Sequence, residues 1–200
     1  MDKLFYILII LSLTACGKGG GFDENDDLQL VKIEFANSTI GIPKNYKLKS
    51  PEEIKESLLN SSKRYSEISE TIQKLDYIKS IPTEFQIYVD TLNYDNNIWF
   101  QEGQYVRLTK SLSQQYLSAL ETQLQKQWTP QDIKYERLES KFLSGTHAQL
   151  IKLKYKLSRE SSSTYTTQYL ISSNSKTIGV IINNVGPDDM ENLVSRTRMK

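Results

Sequence analysis

Ile151, Leu153, Tyr155 and Leu157 alternate with Lys152, Lys154 and Lys156, and no other segment has so sharp a period of two. That period is the mark of a strand with one face buried. Weaker forms of it recur along the chain, bounded by turn residues. Val31–Phe35 reads as a first strand, and Asn37-Ser38 as a turn. Ile40 to Tyr46 reads as a second strand ended by Pro43, because proline cannot continue a ladder. Phe85, Ile87 and Val89 alternate with Gln86, Tyr88 and Asp90. With the Asp95-Asn96-Asn97 turn and Ile98-Trp99-Phe100 they predict a β-hairpin. The C-terminal third adds strands at Ile133–Leu143, Ile151–Leu157, Tyr165–Ile171 and Ile178–Ile182, separated by turns at Gly145, Ser161–Ser163 and Ser172–Ser175.

Helical periods fall between these strands. Ser50-Pro51-Glu52-Glu53 is a helix start, with a capping serine, proline at the first position and glutamate closing a capping box. Ile54, Leu58, Tyr65, Ile68, Ile72, Leu75 and Ile78 then keep near one face. Ser61-Ser62 interrupts that stripe and bends or breaks the helix. The heptad-like stretch Tyr65–Leu75 fits either a coiled-coil pairing or packing on the chain's own sheet; too few clean heptads favour the sheet. Leu112, Tyr116, Leu117, Leu120 and Leu124 form the stripe of a second helix that stops before Thr129-Pro130. Gly186-Pro187-Asp188-Asp189 predicts a last helix with Met190, Leu193 and Val194 inward. Its acids lie at the positive end of the helix dipole and Arg196, Arg198 and Lys200 at the negative end.

This order predicts an α+β domain, a mostly antiparallel sheet with helices packed on it. Ile40-Gly41-Ile42-Pro43 closing on Tyr46 resembles the opening of PsbP-like domains. The end of the chain is similar to them too: a Tyr-rich strand, an Asn-Ser-Lys turn, an apolar strand and a short helix begun by an acidic pair. The resemblance covers roughly residues 30–200. It implies an α/β/α sandwich and an accessory or assembly role without catalysis.

The N-terminus changes the picture. Asp2 and Lys3 precede the apolar run Leu4–Leu13, and Leu13-Thr14-Ala15-Cys16 resembles the lipobox of bacterial lipoproteins. About ten apolar residues are too few to span a bilayer, which needs roughly 20. Residues 1–15 therefore read as a signal peptide. Residues 16–28, with the glycines of Gly17–Gly21 and the acids of Asp23–Asp27, read as a lipidated tether, and residues 29–200 as one domain. The expected location is the bacterial cell envelope, with the chain lipid-anchored through Cys16 at an outer membrane and facing the periplasm or the surface. The acids Asp23–Asp27 also resemble stretches that help export some lipoproteins to the surface.

Composition then excludes several chemistries. Cys16 is the only cysteine of 200 residues, so once lipidated it leaves no thiol for a disulfide, a metal site or a nucleophile. The net charge of +1 gives no pull toward nucleic acid. No phosphate-binding loop, zinc signature or nucleophile elbow is present.

Candidate sites are few. His147 is the only histidine and reads as a solvated strand-end residue. Asp23, Asn25, Asp27 and Glu34 match the first, third, fifth and twelfth positions of a calcium loop, but Leu28 stands where that loop needs glycine. A solvated acidic tether explains them better. Lys152, Lys154 and Lys156 recur on one strand face about every 6.6 Å. They fit contact with anionic headgroups or an acidic partner, an edge strand guarded against pairing, or simply a solvated sheet face. Trp99 faces away from Ile98 and Phe100 and is the first choice for an aromatic contact, with Trp128 behind it; core or inter-layer packing explains both better. Glu52-Glu53 and Asp188-Asp189 are helix starts before they are acid–base pairs. The expected function is a lipid-anchored accessory or binding protein without catalysis or cofactor, docking on a protein partner. The alternatives are an envelope hydrolase of unrecognised type or a small-ligand-binding lipoprotein.

Overall fold

The computed structural model describes residues 27–61, 65–80, 82–128, 133–145, 148–159, 162–194 and 198–199. Strand β1 (Leu28–Ile33) leads through a 3-10 turn (Glu34–Ala36) into β2 (Ser38–Pro43) and β3 (Tyr46–Lys49). Helices α1 (Pro51–Leu59) and α2 (Tyr65–Ser80) precede the hairpin β4 (Phe85–Asp90) and β5 (Asn97–Gly103). Helix α3 (Lys110–Trp128) is followed by β6 (Lys134–Ser144), β7 (Gln149–Arg159), β8 (Ser162–Ser173) and β9 (Lys176–Asn184). The four-residue helix α4 (Glu191–Val194) and β10 (Arg198–Met199) close the chain.

These strands form two sheets. The larger is antiparallel throughout, in the order β3-β4-β5-β9-β8-β7-β6; the smaller is β1-β2-β10. The small sheet and α4 cover one face of the large sheet. There Ile33, Ile40, Ile42, Met190 and Val194 bury against Tyr88, Ile98, Phe100, Val180 and Ile182. Tyr88 and Phe100 meet edge to face, their ring centres 5.8 Å apart. Helices cover the other face in two patches. Ile54 of α1 and Leu75 of α2 lie over Ile87 and Val89, with Trp99 at the margin. Leu124 of α3 lies over Leu153 and Tyr155. Because both faces are covered, Ile87 to Asp90 are buried consecutively, a pattern that alternation alone does not anticipate.

The α+β class and the antiparallel sheet are as the sequence predicts. The expected α/β/α layering differs on one side, where a second sheet carries most of the cover and α4 only a corner. The predicted strand from Ile40 to Tyr46 is two strands. Pro43-Lys44-Asn45 is a crossover, and Tyr46 enters the other sheet opposite Asp90. The capping box forms as expected, with Ser50 N–H donating to Glu53 Oε2 at 2.8 Å and Glu53 N–H to Ser50 Oγ at 3.2 Å. The helical stripe breaks after Leu59, and α1 and α2 are tied by Lys55–Asp76 at 2.9 Å and Lys79–Glu52 at 2.5 Å. Ile68, Ile72, Leu75 and Ile78 are buried within the chain, so the heptad-like stretch is used internally.

The last helix is shorter than expected. Met190 takes a left-handed φ of 52°, while Asp188 and Asp189 accept hydrogen bonds from the Met190 and Glu191 N–H groups. Helical geometry therefore starts only at Glu191. Arg198 lies in β10 opposite Thr39, not at a helix end. Between β8 and β9, Asn174 and Ser175 both have positive φ, the geometry of a two-residue hairpin turn.

Replacing Phe100 by alanine removes the wholly buried ring that joins the two sheets. The expected loss is about 3–5 kcal/mol, read as a lower urea midpoint at unchanged slope.

Candidate functional site

The three lysines of β7 do not form an exposed row. β7 is interior, hydrogen-bonded to β6 and β8, so it has no edge to guard. Lys152 is 1% exposed. Its Nζ donates to Glu139 at 2.6 Å, Asp189 at 2.7 Å and Glu191 at 2.5 Å. Lys154 pairs with the same Asp189 at 2.9 Å and donates to the Pro187 carbonyl. Lys156 lies over the Tyr165 ring, 5.7 Å from its centre. The expectation that Lys152 meets headgroups or an acidic partner is therefore corrected: loop 185–190 and α4 fold over that face, and their own acids take the lysine.

A β-bulge assembles this cluster. The register between β6 and β7 shifts between Arg137 and Glu139, making Leu138 the extra residue. Before the bulge, Tyr135 and Arg137 lie opposite Leu157 and Tyr155 on the α3 side; after it, Glu139 and Lys141 lie opposite Lys154 and Lys152. Without the bulge, Glu139 and Lys141 would point at α3. Lys141 reaches Glu191 at 2.6 Å and Glu139 at 2.9 Å. Three ammonium groups thus balance three carboxylates. The carboxylates bring ligand oxygens within 4.8 Å of one another, a spacing suited to a divalent cation, but the cation among them is the Lys152 ammonium.

The electrostatics make this an anchor for α4. Burial works to lower the Lys152 ammonium, yet the hydrogen bonds it donates to Asp189, Glu139 and Glu191 outweigh it and raise its pKa above the ordinary lysine value. A permanently protonated amine is neither a base nor a nucleophile. Burial pushes Asp189 up, but Lys152 and Lys154 hold it down at about 2. Glu139 is lowered by Lys152 and Lys141, and Glu191 by Lys141 and Lys152.

Other predicted residues are placed as follows. Trp99 faces away from Ile98 and Phe100 and packs at the edge of the α1–α2 patch. Its Nε1–H is buried with no hydrogen-bond partner among the described residues. Asp27 and Glu34 flank the extended strand β1, roughly 23 Å apart at the strand rise; the calcium-loop reading of Asp23, Asn25, Asp27 and Glu34 is corrected, because one ion cannot bridge that span. Asp23, Asn25, Cys16, the lipobox and His147 lie outside the described residues, as does the side chain of Trp128.

The site that the sequence does not signal lies between the two helical patches. There the middle strands of the large sheet are uncovered, leaving a cavity of about 170 Å³. Its floor is Gly179 and Ile181 of β9, Gln101 of β5, and Gln168 and Leu170 of β8; its wall is Tyr116, Leu117 and Leu120 of α3. Gln101 and Gln168 bring carboxamides to the floor, each able to donate and accept, and Glu102 of β5 also borders the cavity. Gln168 Nε2 already donates to Tyr155 Oη at 3.0 Å. Burial raises the pKa of the Tyr116 phenol, so it stays neutral.

Two glycines border this groove for different reasons. A Cβ on Gly103 would come within 3.1 Å of the Thr177 carbonyl, a tight contact against backbone, so close strand approach favours glycine there. A Cβ on Gly179 would meet nothing nearer than Gln101 Cβ at 3.7 Å, an ordinary contact. The chain's own packing does not require glycine at 179; its effect is to deepen the floor.

Lys152→Met leaves three carboxylates facing only the Lys141 and Lys154 ammonium groups, one charge uncompensated, and is expected to cost about 3 kcal/mol in denaturant unfolding at pH 7. The pH profile follows from the shifts. The lowered carboxyls contribute stability that is complete above the ordinary carboxylate pKa of about 4, and it is lost as pH falls toward the Asp189 value of about 2. The raised lysine contributes below about 10.4, and its share is lost at still higher pH. Unfolding midpoints measured across pH should show an acid limb between about pH 4 and 2 that Lys152→Met flattens.

No protein-family model and no curated protein sequence matches the chain. Among solved structures it is similar to the solution structure of cyanobacterial PsbP (CyanoP) from Synechocystis sp. PCC 6803. The TM-score is 0.52 at 8% identity, covering 92% of this chain and 100% of that one. The Saccharomyces cerevisiae Ran-binding protein Mog1p aligns with a TM-score of 0.49 at 10% identity over 86% of this chain and 95% of its own. Identities this low speak to architecture only, and on that level the chain has the PsbP-like fold that its opening strand and C-terminal meander resemble.

Proposed function

We propose that this protein is a lipid-anchored binding module of the bacterial cell envelope. It docks on a protein partner by accepting an uncharged side chain of that partner in the groove beside α3. The anchor rests on the lipobox-like Leu13-Thr14-Ala15-Cys16. The binding role rests on the groove, and one observation carries it: the floor is deepened at Gly179 by a glycine that the fold does not demand. A cavity of about 150 Å³ holds a benzene-sized group, so 170 Å³ suits one aromatic or branched aliphatic side chain. Gln101 beside it offers both a donor and an acceptor to the amide backbone carrying that side chain. Such a buried anchor is the usual source of interface affinity. The same volume fits a free small molecule of that size, which is the second reading.

Gly179→Leu fills the groove at a position where a side chain finds room. The full-length protein and this variant are compared by photocrosslinking in native membranes from a probe at Tyr116, with Gln115 on the outer α3 face as control. A protein captured from Tyr116 and not from Gln115 should lose about thirtyfold in affinity in Gly179→Leu, the effect of one anchor worth about 2 kcal/mol. Thermal stability should stay within about 1 kcal/mol of the parent. Equal capture by parent and variant would remove the groove from any binding role. A groove-dependent small molecule, with no crosslinked protein, would select the second reading.

A further inference from the structure

The chain enters the described fold at Asp27, whose carbonyl accepts a bond from the Lys44 N–H at 2.9 Å. This fixes the entry point against the crossover Pro43-Lys44-Asn45. Hydrogen bonds run on from there to two further loops. The Asn45 carbonyl accepts from Thr91 N–H at 3.0 Å and from Thr91 Oγ1 at 2.9 Å. The buried Asp90 carboxylate gathers Asn45 Nδ2 at 2.7 Å, Leu92 N–H at 2.8 Å and Asn96 Nδ2 at 3.1 Å. Asn96 Oδ1 in turn accepts from Val185 N–H at 3.0 Å. The entry point, the β4–β5 turn and the loop after β9 are thereby one braced rim at one end of the large sheet.

Three apolar residues of that rim face outward, among exposed charged neighbours. Leu92 is 84% exposed, Val185 49% and Tyr94 43%. Isolated exposed apolar residues are ordinary; three on a rim that also receives the N-terminal segment are not isolated. We infer that this rim is the membrane-facing end of the protein, resting Leu92, Tyr94 and Val185 in the interfacial region of the bilayer to which Cys16 is attached. The inference rests on the anchor reading above. Ten residues lie between Cys16 and Asp27, a path of at most about 40 Å even when fully extended, so an acylated Cys16 keeps the rim within reach of the lipid.

The residue types suit that occupant. Leucine fits the acyl boundary and tyrosine the headgroup level. Lys44 and Lys47 are exposed beside the entry and suit anionic headgroups. Asp27, Asp95 and Asp188 lie exposed nearby and oppose deep insertion, so the contact is a shallow one. No helix among the described residues is long and apolar enough to cross a membrane. The geometry also orients the groove. The rim lies at the Asn97 end of β5 and the groove at its Gln101–Gly103 end, about 13–20 Å further along the strand. With the rim on lipid, the groove lies further from the membrane, on the α3 side of the sheet.

The test uses the full-length protein made in a bacterial host and reconstituted in vesicles of phosphatidylethanolamine and phosphatidylglycerol at about three to one. Leu92→Cys and, at the opposite end of the sheet, Leu143→Cys each carry a fluorophore, and quenching by nitroxide-labelled lipid is measured. Intact mass of the N-terminal peptide reports acylation of Cys16, and flotation reports attachment. The expected result is acylated, floating protein in which the Leu92 label is quenched at least threefold more than the Leu143 label. Acylated, floating protein with equal quenching at both sites overturns the rim and leaves the anchor standing. Protein that neither floats nor carries acyl mass overturns the anchor, and the rim with it.

Discussion

Trp99 and Phe100 are adjacent on β5 and enter different cores. Phe100 meets Tyr88 beneath the small sheet, and Trp99 lies at the edge of the α1–α2 patch. That divergence repeats on β4 and β7, and it is the constraint on which the architecture depends. A sheet apolar on both faces must be covered on both, or it exposes surface worth roughly 25 cal/mol for each Å². One polypeptide covers one face with helices and the other with a second sheet. The crossover at Pro43-Lys44-Asn45 feeds the chain from one sheet to the other, and α4 with β10 completes the second cover.

Where that cover is thin, charge takes over from apolar contact. α4 has only four residues, too few to hold itself by helical bonding alone. Six charged groups pin it instead, with the Lys152 ammonium at their centre. Buried ion pairs seldom stabilise more than the apolar contacts they replace. Here the cluster specifies position: the acids of loop 185–190 and α4 have one place where the lysines of β7 can satisfy them. Met190, held in a left-handed conformation just before α4, buries its side chain in the core and is part of the same attachment.

The helix face is covered in two patches with the groove between them, and that gap has the features of a binding site. The rim and the groove sit at opposite ends of the same strands. In the arrangement proposed above, one antiparallel sheet connects the lipid-facing rim with the partner-binding groove. The balanced charge of the chain agrees with recognition through shape and neutral groups more than through long-range attraction.

Much of the secondary structure was legible because it is local. Ser50-Pro51-Glu52-Glu53 fixes a helix start through bonds within four residues, and Asn174-Ser175 sits in a hairpin whose strands alternate on either side. Only a few side chains are needed to read such signals. The row Lys152, Lys154 and Lys156 shows the limit: its period of two correctly marks a strand, but period says nothing about what covers each face. That depended on residues about 35 positions away in sequence and on a bulge at Leu138, whose register shift appears only once β6 is paired with β7. The groove was likewise invisible, since Gly179, Gln101, Gln168 and Tyr116 lie on four separate elements. By itself the sequence determined the α+β class, most elements and their order, and the lipobox-like segment, because these follow from neighbours along the chain. Only the tertiary structure decided which lysine is buried, which glycine opens a groove and which loops share a rim, because those are contacts between residues that the sequence holds apart.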